Sequence, residues 1–491
     1  MIPEYIYNVA FELERNGFEA YLVGGSLRNM LMDFPVKDFD ITTNALPEDI
    51  ERIFPKSIMT NAKFGTVIVL VNKDDGELES VEITTYRVEK EYVGGRWPSH
   101  VEFTPNIAED LKRRDFTVNA IALRLTSKTQ KEIKNINELK KSEFLLDLFN
   151  GIEDLENKIL RAVGNPVERF SEDGLRPLRG CRLASTYGFN FEQKTFDAIS
   201  ITLDIAAQVS MERVKDEFTR MLTKSPKPSR GIELMRKSGL LKLYIPELLE
   251  GYGMEQNRHH VHDVYQHLLD TVDIAPAEIR LAALFHDIGK ARCKDGEHFY
   301  GHDREGAEMT RKIMQRLKFS KKEIEDTANL VRWHMFYIPR TILRKGEIEH
   351  DALNHIEEKE NRNKQFKLGW SDNAIRRMIM RVGGHEQIDK LIKLRIADAL
   401  ANPKSSFDPT DIQLLAERVA EIREKESLFS IKDLRINGND LIKLGFTPGP
   451  EIKNALEHIL EQVIDHIELN NFDDLKSLAI KYLDEIKGKN H

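Results

Sequence analysis

The stretch YLVGGSLRNMLMDFPVKDFDITT, residues 21–43, decides the fold of the N-terminal part of this chain. It opens as a short apolar strand, turns at Gly24 and Gly25, and enters a helix that carries Arg28 one turn later. Such a turn exposes backbone N–H groups that can hold a triphosphate, and the arginine can add a charge-assisted hydrogen bond. The pattern therefore indicates a nucleotide-binding turn between a strand and a helix.

Two aspartates separated by one residue, Asp38 and Asp40, close the same stretch. Because side chains alternate along a strand, we expect both carboxylates to face the same side. Glu82, in the later apolar run VEITT, can supply a third oxygen ligand. Carboxylates this close repel one another unless a hard cation such as Mg²⁺ lies between them. The pattern predicts a catalytic site for metal-dependent phosphoryl chemistry.

Composition places the chain among soluble, core-forming proteins. Of its 491 residues, 41% are hydrophobic and 31% charged, which suits about two to four domains. No run approaches the roughly 18 apolar residues of a membrane helix, and the N-terminus lacks the pattern of a signal peptide. Only two cysteines, Cys181 and Cys293, are present, so we expect a reducing, cytoplasmic location. The net charge of −8 excludes a uniformly basic surface but not a local one.

The periodicity of apolar residues changes along the chain. Short apolar or alternating runs up to about residue 125 predict a small α/β sheet, and from about Leu155 the pattern is helical to the end. The segment from Arg87 to His100 contains glycines and a proline, so we expect a mobile loop there.

Further motifs follow the opening stretch in a fixed order: EDLKRRDFTVNAIAL (109–123), DLFNGIEDL (147–155), RFSEDGLRPLRGCRLA (169–184) and SMERVKDEFTRML (210–222). The opening stretch resembles the signature of the nucleotidyltransferase superfamily that includes DNA polymerase β. The whole series resembles class II tRNA nucleotidyltransferases, the CCA-adding enzymes, and their relatives the bacterial poly(A) polymerases. RINGNDLIKLGFTPGPEIKNAL (435–456) resembles the tail of CCA-adding enzymes.

The resemblance implies an architecture and a set of site residues. It implies a polymerase β-like α/β head at 1–150, an all-α neck at 151–250, an HD domain at 251–405 and a helical, tRNA-binding tail at 406–491. Residues implied to bind the nucleotide are Gly24, Gly25, Arg28, Arg114, Asp173, Arg176, Arg179 and Arg182, while Asp38 and Asp40 hold Mg²⁺ and act in catalysis with Glu82. Asn29 departs from the family pattern, which usually has Asp there, and we expect a weaker contact near the sugar.

The motif EDGLR has a physical logic for choosing nucleotides. Cytosine and adenine both present an amino donor beside a ring-nitrogen acceptor, whereas uracil and guanine present a carbonyl beside a ring N–H. A carboxylate from Asp173 and a guanidinium from Arg176 would accept the first pair and reject the second. The two residues are three apart on a predicted helix, so we expect them to share a face, with Glu172 orienting Arg176.

A second metal site is indicated between residues 265 and 400. His286 and Asp287 follow an apolar helical run in ALFHDIGK, which resembles the HD phosphohydrolase signature. The candidate partner ligands are His267, His302, His334 and Asp398. Such a mixed nitrogen and oxygen set suits Mg²⁺, Mn²⁺, Ni²⁺ or Fe²⁺ rather than a closed zinc site, and Lys290 can steady a phosphate. The alternative is a degenerate scaffold without metal.

The expected function is that of a nucleotidyltransferase that adds CCA to the 3′ end of tRNA from CTP and ATP. The full-length loop at Arg87–His100 favours complete CCA addition, although it has RWP where the family usually has RRP. The expected partners are tRNA and the two nucleotides, without a membrane, in a monomer or homodimer. The alternatives are a bacterial poly(A) polymerase or A-adding enzyme, an HD phosphohydrolase whose head only binds RNA, and a noncatalytic tRNA-binding protein.

Overall fold

A computed structural model describes residues 2–36, 38–73, 76–93, 97–256, 262–336, 340–344, 347–349, 365–368, 370–402, 409–425 and 431–488. The chain divides into two compact units, Met1–Pro246 and Glu247–His491. Among the described residues, no helix combines the length and apolar character needed to cross a membrane. The expected boundary between residues 405 and 406 lies outside the described residues.

The first unit begins with a mixed sheet whose strand order is β3-β4-β5-β2-β1-β8-β9. Its strands are β1 (Tyr21–Val23), β2 (Asp40–Thr43), β3 (Ser57–Ile58), β4 (Thr66–Asn72), β5 (Leu78–Thr85), β8 (Ile121–Arg124) and β9 (Leu145–Asp147). Its helices are α1 (Glu4–Arg15), α2 (Gly24–Leu31), α3 (Pro47–Ile53), α4 (Ile107–Lys112), α5 (Ser127–Glu132), α6 (Ile136–Lys140) and α7 (Gly151–Glu156). The predicted α/β head is confirmed.

The sheet register brings acidic residues of distant sequence together. Strand β1 runs directly into α2 at Gly24, whose φ of +72° lies in the left-handed region that glycine tolerates. β2 pairs with β5 in parallel and sets Asp40 opposite Glu82. The strand begins only at Asp40, so the expectation that Asp38 lies on it was wrong, because the preceding Pro35 segment is not paired with the sheet.

The segment expected to be a loop at Arg87–His100 is an antiparallel ribbon. Strands β6 (Arg87–Val93) and β7 (Trp97–Phe103) pair from Arg87 opposite Phe103 to Val93 opposite Trp97. Gly94–Arg96, including the arginine of RWP, lies outside the described residues. In the sequence, strand-forming residues flank a short glycine-containing segment, which is a hairpin pattern, and the prediction of a loop gave the glycines too much weight.

Helices form the rest of the first unit. They are α8 (Pro166–Glu172), α9 (Arg176–Tyr187), α10 (Gln193–Ile201), α11 (Leu203–Ala206), α12 (Met211–Lys224), α13 (Pro228–Ser238) and α14 (Leu240–Tyr244). Two-residue strands β10 (Ile159–Leu160) and β11 (Asn190–Phe191) pair in parallel among them. The core of this region is closely packed: a Cβ at Gly174 would lie 2.5 Å from the carbonyl oxygen of Ile205.

The sequence predicted that Asp173 and Arg176 of the EDGLR motif lie on one helix, and this prediction was wrong. Asp173 is the extended C-terminal cap of α8, and Arg176 is the first residue of α9. Pro177 occupies the first turn of α9, where its missing N–H and fixed φ favour a helix start over a continuing helix. The two side chains are therefore set by a junction between helices rather than by helical spacing.

The second unit is mainly helical. Its helices are α15 (Val264–Ile274), α16 (Arg280–Phe285), α17 (His302–Arg316), α18 (Lys321–Trp333), α19 (Asp372–Val382), α20 (His385–Leu400), α21 (Pro409–Lys425), α22 (Gly438–Lys443), α23 (Pro450–Asp465) and α24 (Phe472–Gly488). One apolar cluster is built from residues between Ala275 and Ile422, and a separate one from residues between Leu434 and Leu483.

The prediction of an entirely helical pattern after Leu155 was wrong in this unit. Strands β12 (Arg340–Arg344), β13 (Glu347–Glu349) and β14 (Gln365–Leu368) form a small antiparallel sheet with β12 in the centre. The segment QFKL alternates polar and apolar residues and includes an aromatic residue, and RTILR contains the β-branched residues Thr341 and Ile342. That pattern suits a strand, and each segment is too short to reveal a helical period.

Candidate active site and metal centre

A polar cleft in the first unit gathers residues from the head sheet and the helices that follow it. Of the residues predicted to act here, those in its lining are Gly24, Gly25, Arg28, Asp40, Glu82, Arg114, Asp173, Arg176, Arg179 and Arg182. Residues in the lining that the prediction did not include are Arg87, Arg113, Asp115, Asn119, Arg213, Glu217 and Arg220, among others. Asp38 lies outside this lining and is exposed.

The acidic end of the cleft is centred on Asp40. Burial, the neighbouring Glu82 charge and the more distant Asp38 charge raise the pKa of Asp40 to about 6, against the opposing effect of Arg114. Asp40 and Glu82 lie side by side on neighbouring strands at this end of the cleft, whereas Asp38 is outside its lining. Carboxylate oxygens of this kind suit a hard divalent cation.

Arg28 is a buried cation whose described hydrogen bonds all go to neutral oxygens. Its Nη1 donates to Asn119 Oδ1 at 2.6 Å, and its Nη2 donates to Tyr187 Oη and Asn29 Oδ1, both at 2.8 Å. Burial lowers the pKa of Arg28, with partial compensation from Tyr187 and Asp115. A desolvated guanidinium one turn into α2, facing a cleft, is suited to a phosphate chain.

Asn29 acts on Arg28 and lies outside the lining of the cleft. Its Oδ1 accepts from Nε and Nη2 of Arg28, and its Nδ2 donates to the carbonyl of Pro35. The expected weaker contact near a sugar stays a prediction, and the contacts that the structure shows for Asn29 are with Arg28 and Pro35. An asparagine here orients Arg28 without neutralising it, whereas an aspartate would form an ion pair with it.

The guanidinium group of Arg114 lies close to Gly24 in the glycine turn. Its Nη2 contacts Asp110 Oδ2 at 3.2 Å, and its Nη1 would lie 3.3 Å from a Cβ at Gly24. Burial would raise the pKa of Asp110, but Arg113 and Arg114 outweigh it and hold that pKa below its usual range. Asp110 thus fixes both arginines of the RRD motif, and a side chain at position 24 would displace Arg114.

The arginines of α9 are held by acidic residues from other elements. Arg179 Nη1 contacts Asp115 Oδ2 at 2.9 Å, and Arg182 Nε contacts Glu217 Oε2 at 2.5 Å. Burial would raise the pKa of Asp115, but Arg179, Asn119 and Arg176 outweigh it and hold that pKa well below its usual range. Asp115 therefore positions Arg179 as an ionised carboxylate, and Glu217 pairs with Arg182.

Asp173 and Arg176 have separate supports at the helix junction. Arg176 Nη1 donates to Glu172 Oε2 at 2.5 Å, and Nη2 donates to the carbonyl of Arg113 at 3.0 Å. Asp173 accepts from both terminal nitrogens of Arg213, at 3.1 and 2.7 Å. The sequence contained signals for several residues that the prediction missed, because Asp115 completes RRD and Arg213 and Glu217 lie within the motif SMERVKDEF.

The second unit brings all the predicted HD residues into one buried cluster. Two overlapping groups can each hold a metal ion, namely His267, His286, Asp287 and Asp398, and Asp287, His302 and His334. Asp287 belongs to both: its Oδ2 lies 3.4 Å from His286 Nε2, and its Oδ1 lies 3.4 Å from His334 Nε2. The sequence predicted these six candidate ligands, but it did not predict that they form two groups that share Asp287.

The histidine rings in this cluster are oriented as metal ligands are. Nδ1 of His286, His302 and His334 lies 2.7–2.8 Å from a backbone carbonyl three residues earlier, which directs each Nε2 toward the cluster. Asp287 Oδ1 and the Nε2 atoms of His302 and His334 are buried without a hydrogen-bond partner. Buried polar atoms left in this state fit a cation that bonds to them.

Charges in the cluster support the same interpretation. Burial would lower the pKa of His286, but Asp287 and Asp398 raise it to about 10. Burial would likewise raise the pKa of Asp287, but Lys290 and His286 hold it well below its usual range. Lys290 Nζ lies 2.6 Å from Asp287 Oδ2. The carboxylates thus attract positive charge strongly, which a divalent ion would supply better than a proton.

Comparison with known proteins adds independent findings. The poly A polymerase head domain model matches residues 20–161, the "Probable RNA and SrmB-binding site of polymerase A" matches 188–251, and the HD domain matches 257–402. A model of a second tRNA nucleotidyltransferase domain matches 391–476.

Relatives named CCA-adding enzyme match in sequence. The Streptococcus thermophilus protein is 30% identical over 92% of this chain and 90% of its own length. The Lactobacillus helveticus protein is 47% identical over 43% of this chain and 47% of its own length. In this and several other alignments, the chain spans about half the length of the curated relatives it matches.

Solved structures share the fold. The Bacillus stearothermophilus CCA-adding enzyme in complex with CTP has a TM-score of 0.62 and 24% identity, with 100% of both chains covered. Another CCA-adding enzyme, in its apo form II, has a TM-score of 0.50 and 17% identity, with 99% of this chain and 96% of that chain covered.

Proposed function

The chain belongs to the family of CCA-adding enzymes, and from this premise we propose that it adds C, C and A to the 3′ end of tRNA. It would use CTP and ATP without a nucleic-acid template and release pyrophosphate. The observation that carries the proposal is the single cleft that contains the Asp40–Glu82 pair, the buried Arg28 and the Asp173–Arg176 junction. These are the groups needed to hold a metal, a triphosphate and a base.

Residues at the head end of the cleft would position the reacting groups. The terminal ribose 3′-hydroxyl of the RNA attacks the α-phosphate of the bound nucleotide, and pyrophosphate leaves. Arg28 and the backbone N–H groups of the glycine turn hold the triphosphate chain in line for that attack. Mg²⁺ held by Asp38, Asp40 and Glu82 would stabilise the negative charge on the attacking and leaving oxygens.

Residues at the helix junction would choose the base. The Asp173 carboxylate accepts from the amino group of cytosine or adenine, and the Arg176 guanidinium donates to the adjacent ring nitrogen. Uracil and guanine place a carbonyl against the carboxylate and an N–H against the guanidinium, which leaves buried groups mispaired. Glu172 and the carbonyl of Arg113 keep Arg176 in place for this contact.

Within this proposal, residues 1–150 form the catalytic head, 151–250 the neck, 251–405 the HD domain and 406–491 the part that grips tRNA. RNA would be held mainly through shape and backbone contacts, as expected for an A-form acceptor stem. A localised basic surface is compatible with the net charge of −8, because binding depends on where charge lies.

The test uses tRNA lacking its terminal CCA, CTP, ATP and Mg²⁺, with pyrophosphate release as the readout. The wild-type protein is expected to release about three pyrophosphates per tRNA, and Asp40→Asn to lose at least about a hundredfold in rate, because a metal carboxylate is removed. Long tails made from ATP alone would favour a poly(A) polymerase. Absence of release with every nucleotide would favour a noncatalytic RNA-binding head.

A second candidate activity is metal-dependent phosphate-ester hydrolysis in the HD domain, favoured by the convergence of its ligands. Bound Mg²⁺, Mn²⁺, Ni²⁺ or Fe²⁺ would supply a nucleophilic water and Lewis acidity there. Lys290, whose Nζ lies against Asp287, is placed to contact a phosphate oxygen. Hydrolysis of a 2′,3′-cyclic nucleotide that is lost in His286→Ala but kept in Asp40→Asn is expected, and lack of hydrolysis with each of these metals would indicate a scaffold.

A further inference from the structure

Asp173 is paired with an arginine from another helix. It caps the C-terminus of α8, where the helix dipole is negative, and it directly follows Glu172. Its carboxylate is nevertheless only 14% exposed. Arg213, 18% exposed and near the start of α12, supplies the compensating charge.

The contact between these residues is bidentate. Arg213 Nη1 donates to Asp173 Oδ1 at 3.1 Å, Nη2 donates to Oδ2 at 2.7 Å, and the backbone N–H of Leu175 donates to Oδ1 at 3.0 Å. A carboxylate offers about four acceptor positions. Three donors from the described residues therefore leave about one position, on Oδ2, for a ligand in the cleft.

We propose that Arg213 is a positioning residue that makes Asp173 selective for the amino-bearing bases cytosine and adenine. This inference rests on the proposed function and deepens it. The bidentate contact fixes the orientation of the carboxylate plane. It leaves one acceptor position on Oδ2, and one N–H of an exocyclic amino group can donate to that position.

The test compares selectivity in Arg213→Ala and Arg213→Lys. Lysine keeps the charge but cannot form two parallel hydrogen bonds, so both variants are expected to lose selectivity. We expect the CTP-to-UTP ratio of kcat/KM to fall at least about tenfold, which corresponds to ~1.4 kcal/mol. Arg236→Ala, which removes an Arg–Glu ion pair outside the cleft lining, is the matched control and should keep the wild-type ratio.

Equilibrium binding of CTP and UTP without tRNA provides a readout that does not depend on transfer. A binding preference for CTP that is lost in both Arg213 variants supports the inference even if no nucleotide is transferred, in which case the proposed function fails separately. Wild-type selectivity in Arg213→Lys, or an equal loss for both nucleotides in Arg213→Ala, overturns the inference while leaving CCA addition intact.

Discussion

The side-chain amide of Asn119 links two arginines of the cleft. Its Oδ1 accepts from Arg28, its Nδ2 donates to Asp115 Oδ1 at 3.0 Å, and Asp115 in turn contacts Arg179. This hydrogen-bond network fixes the positions of both guanidinium groups, because none of its members can move without leaving a buried polar group unpaired. Nucleotide binding therefore depends on residues that need not touch the nucleotide.

Replacing Asp115 is expected to affect stability and nucleotide binding together. Asp115→Asn removes the nearer of the two ion-pair partners of Arg179, Glu217 being the other, so we expect a loss of about 3 kcal/mol in unfolding free energy near pH 7 and a raised KM for CTP. Because the folded-state pKa of Asp115 is lowered, its stabilisation is present above the ordinary carboxyl range and is lost as the pH falls through the folded pKa. The difference between the variant and the wild type should therefore shrink in acid.

Denaturant unfolding at several pH values measures this effect. Asp154→Asn is the control, because Asp154 is similarly buried and paired with Arg161 but lies outside the cleft lining. It should destabilise without raising KM. An unchanged KM in Asp115→Asn would contradict the role given to the Asn119 network.

At the scale of elements, the sequence predicted the strands and helices with strong patterns and missed those set by longer-range contacts. The β1–α2 turn follows from apolar residues and glycines that are local in sequence. The β12–β14 sheet depends on pairing between segments that are distant in sequence, which no single segment reveals, whereas the hairpin pattern of the β6–β7 ribbon is local and was interpreted as a loop. The pairing of Asp173 with Arg213 spans two helices, and no spacing rule within one helix could predict it.

The glycine of EDGLR is expected to control how the junction packs. Gly174→Ala would place Cβ 2.5 Å from the carbonyl oxygen of Ile205, and backbone must move to relieve that contact. We expect a loss of about 1–3 kcal/mol in stability and reduced selectivity between CTP and UTP. Thermal unfolding and single-nucleotide addition measure the two effects.

Gly438→Ala is the control for this substitution, because an added Cβ there would meet only Ile452 Cγ2 at 3.4 Å. It should leave selectivity unchanged. Wild-type stability and selectivity in Gly174→Ala would show that the α8–α9 junction tolerates displacement and is not what orients Asp173.

At the scale of the whole molecule, each compact unit contains its own candidate metal chemistry. The HD ligands form two groups that share Asp287, so we expect two divalent ions per chain in the second unit. Metal analysis after dialysis should find about one ion fewer in His334→Ala and about two fewer in Asp287→Asn. His262→Ala removes a histidine outside both groups and should change nothing.

Equal metal content in Asp287→Asn and the wild type would contradict a shared carboxylate. Loss of both ions in His334→Ala would instead show that neither ligand group binds its metal ion unless the other group is also occupied. Neither result would alter the proposal for the head, whose carboxylates lie in the other unit.

Sequencing the 3′ ends of the products is the most direct test of whether the protein adds C, C and A to tRNA. The protein is incubated with tRNA lacking its terminal CCA in the presence of all four nucleoside triphosphates and Mg²⁺. The geometry of the cleft predicts products that end in CCA and stop there, with uracil and guanine rare, and product formation at least about a hundredfold slower in Asp40→Asn. Tails of A alone, equal use of all four nucleotides, or unextended tRNA would contradict it.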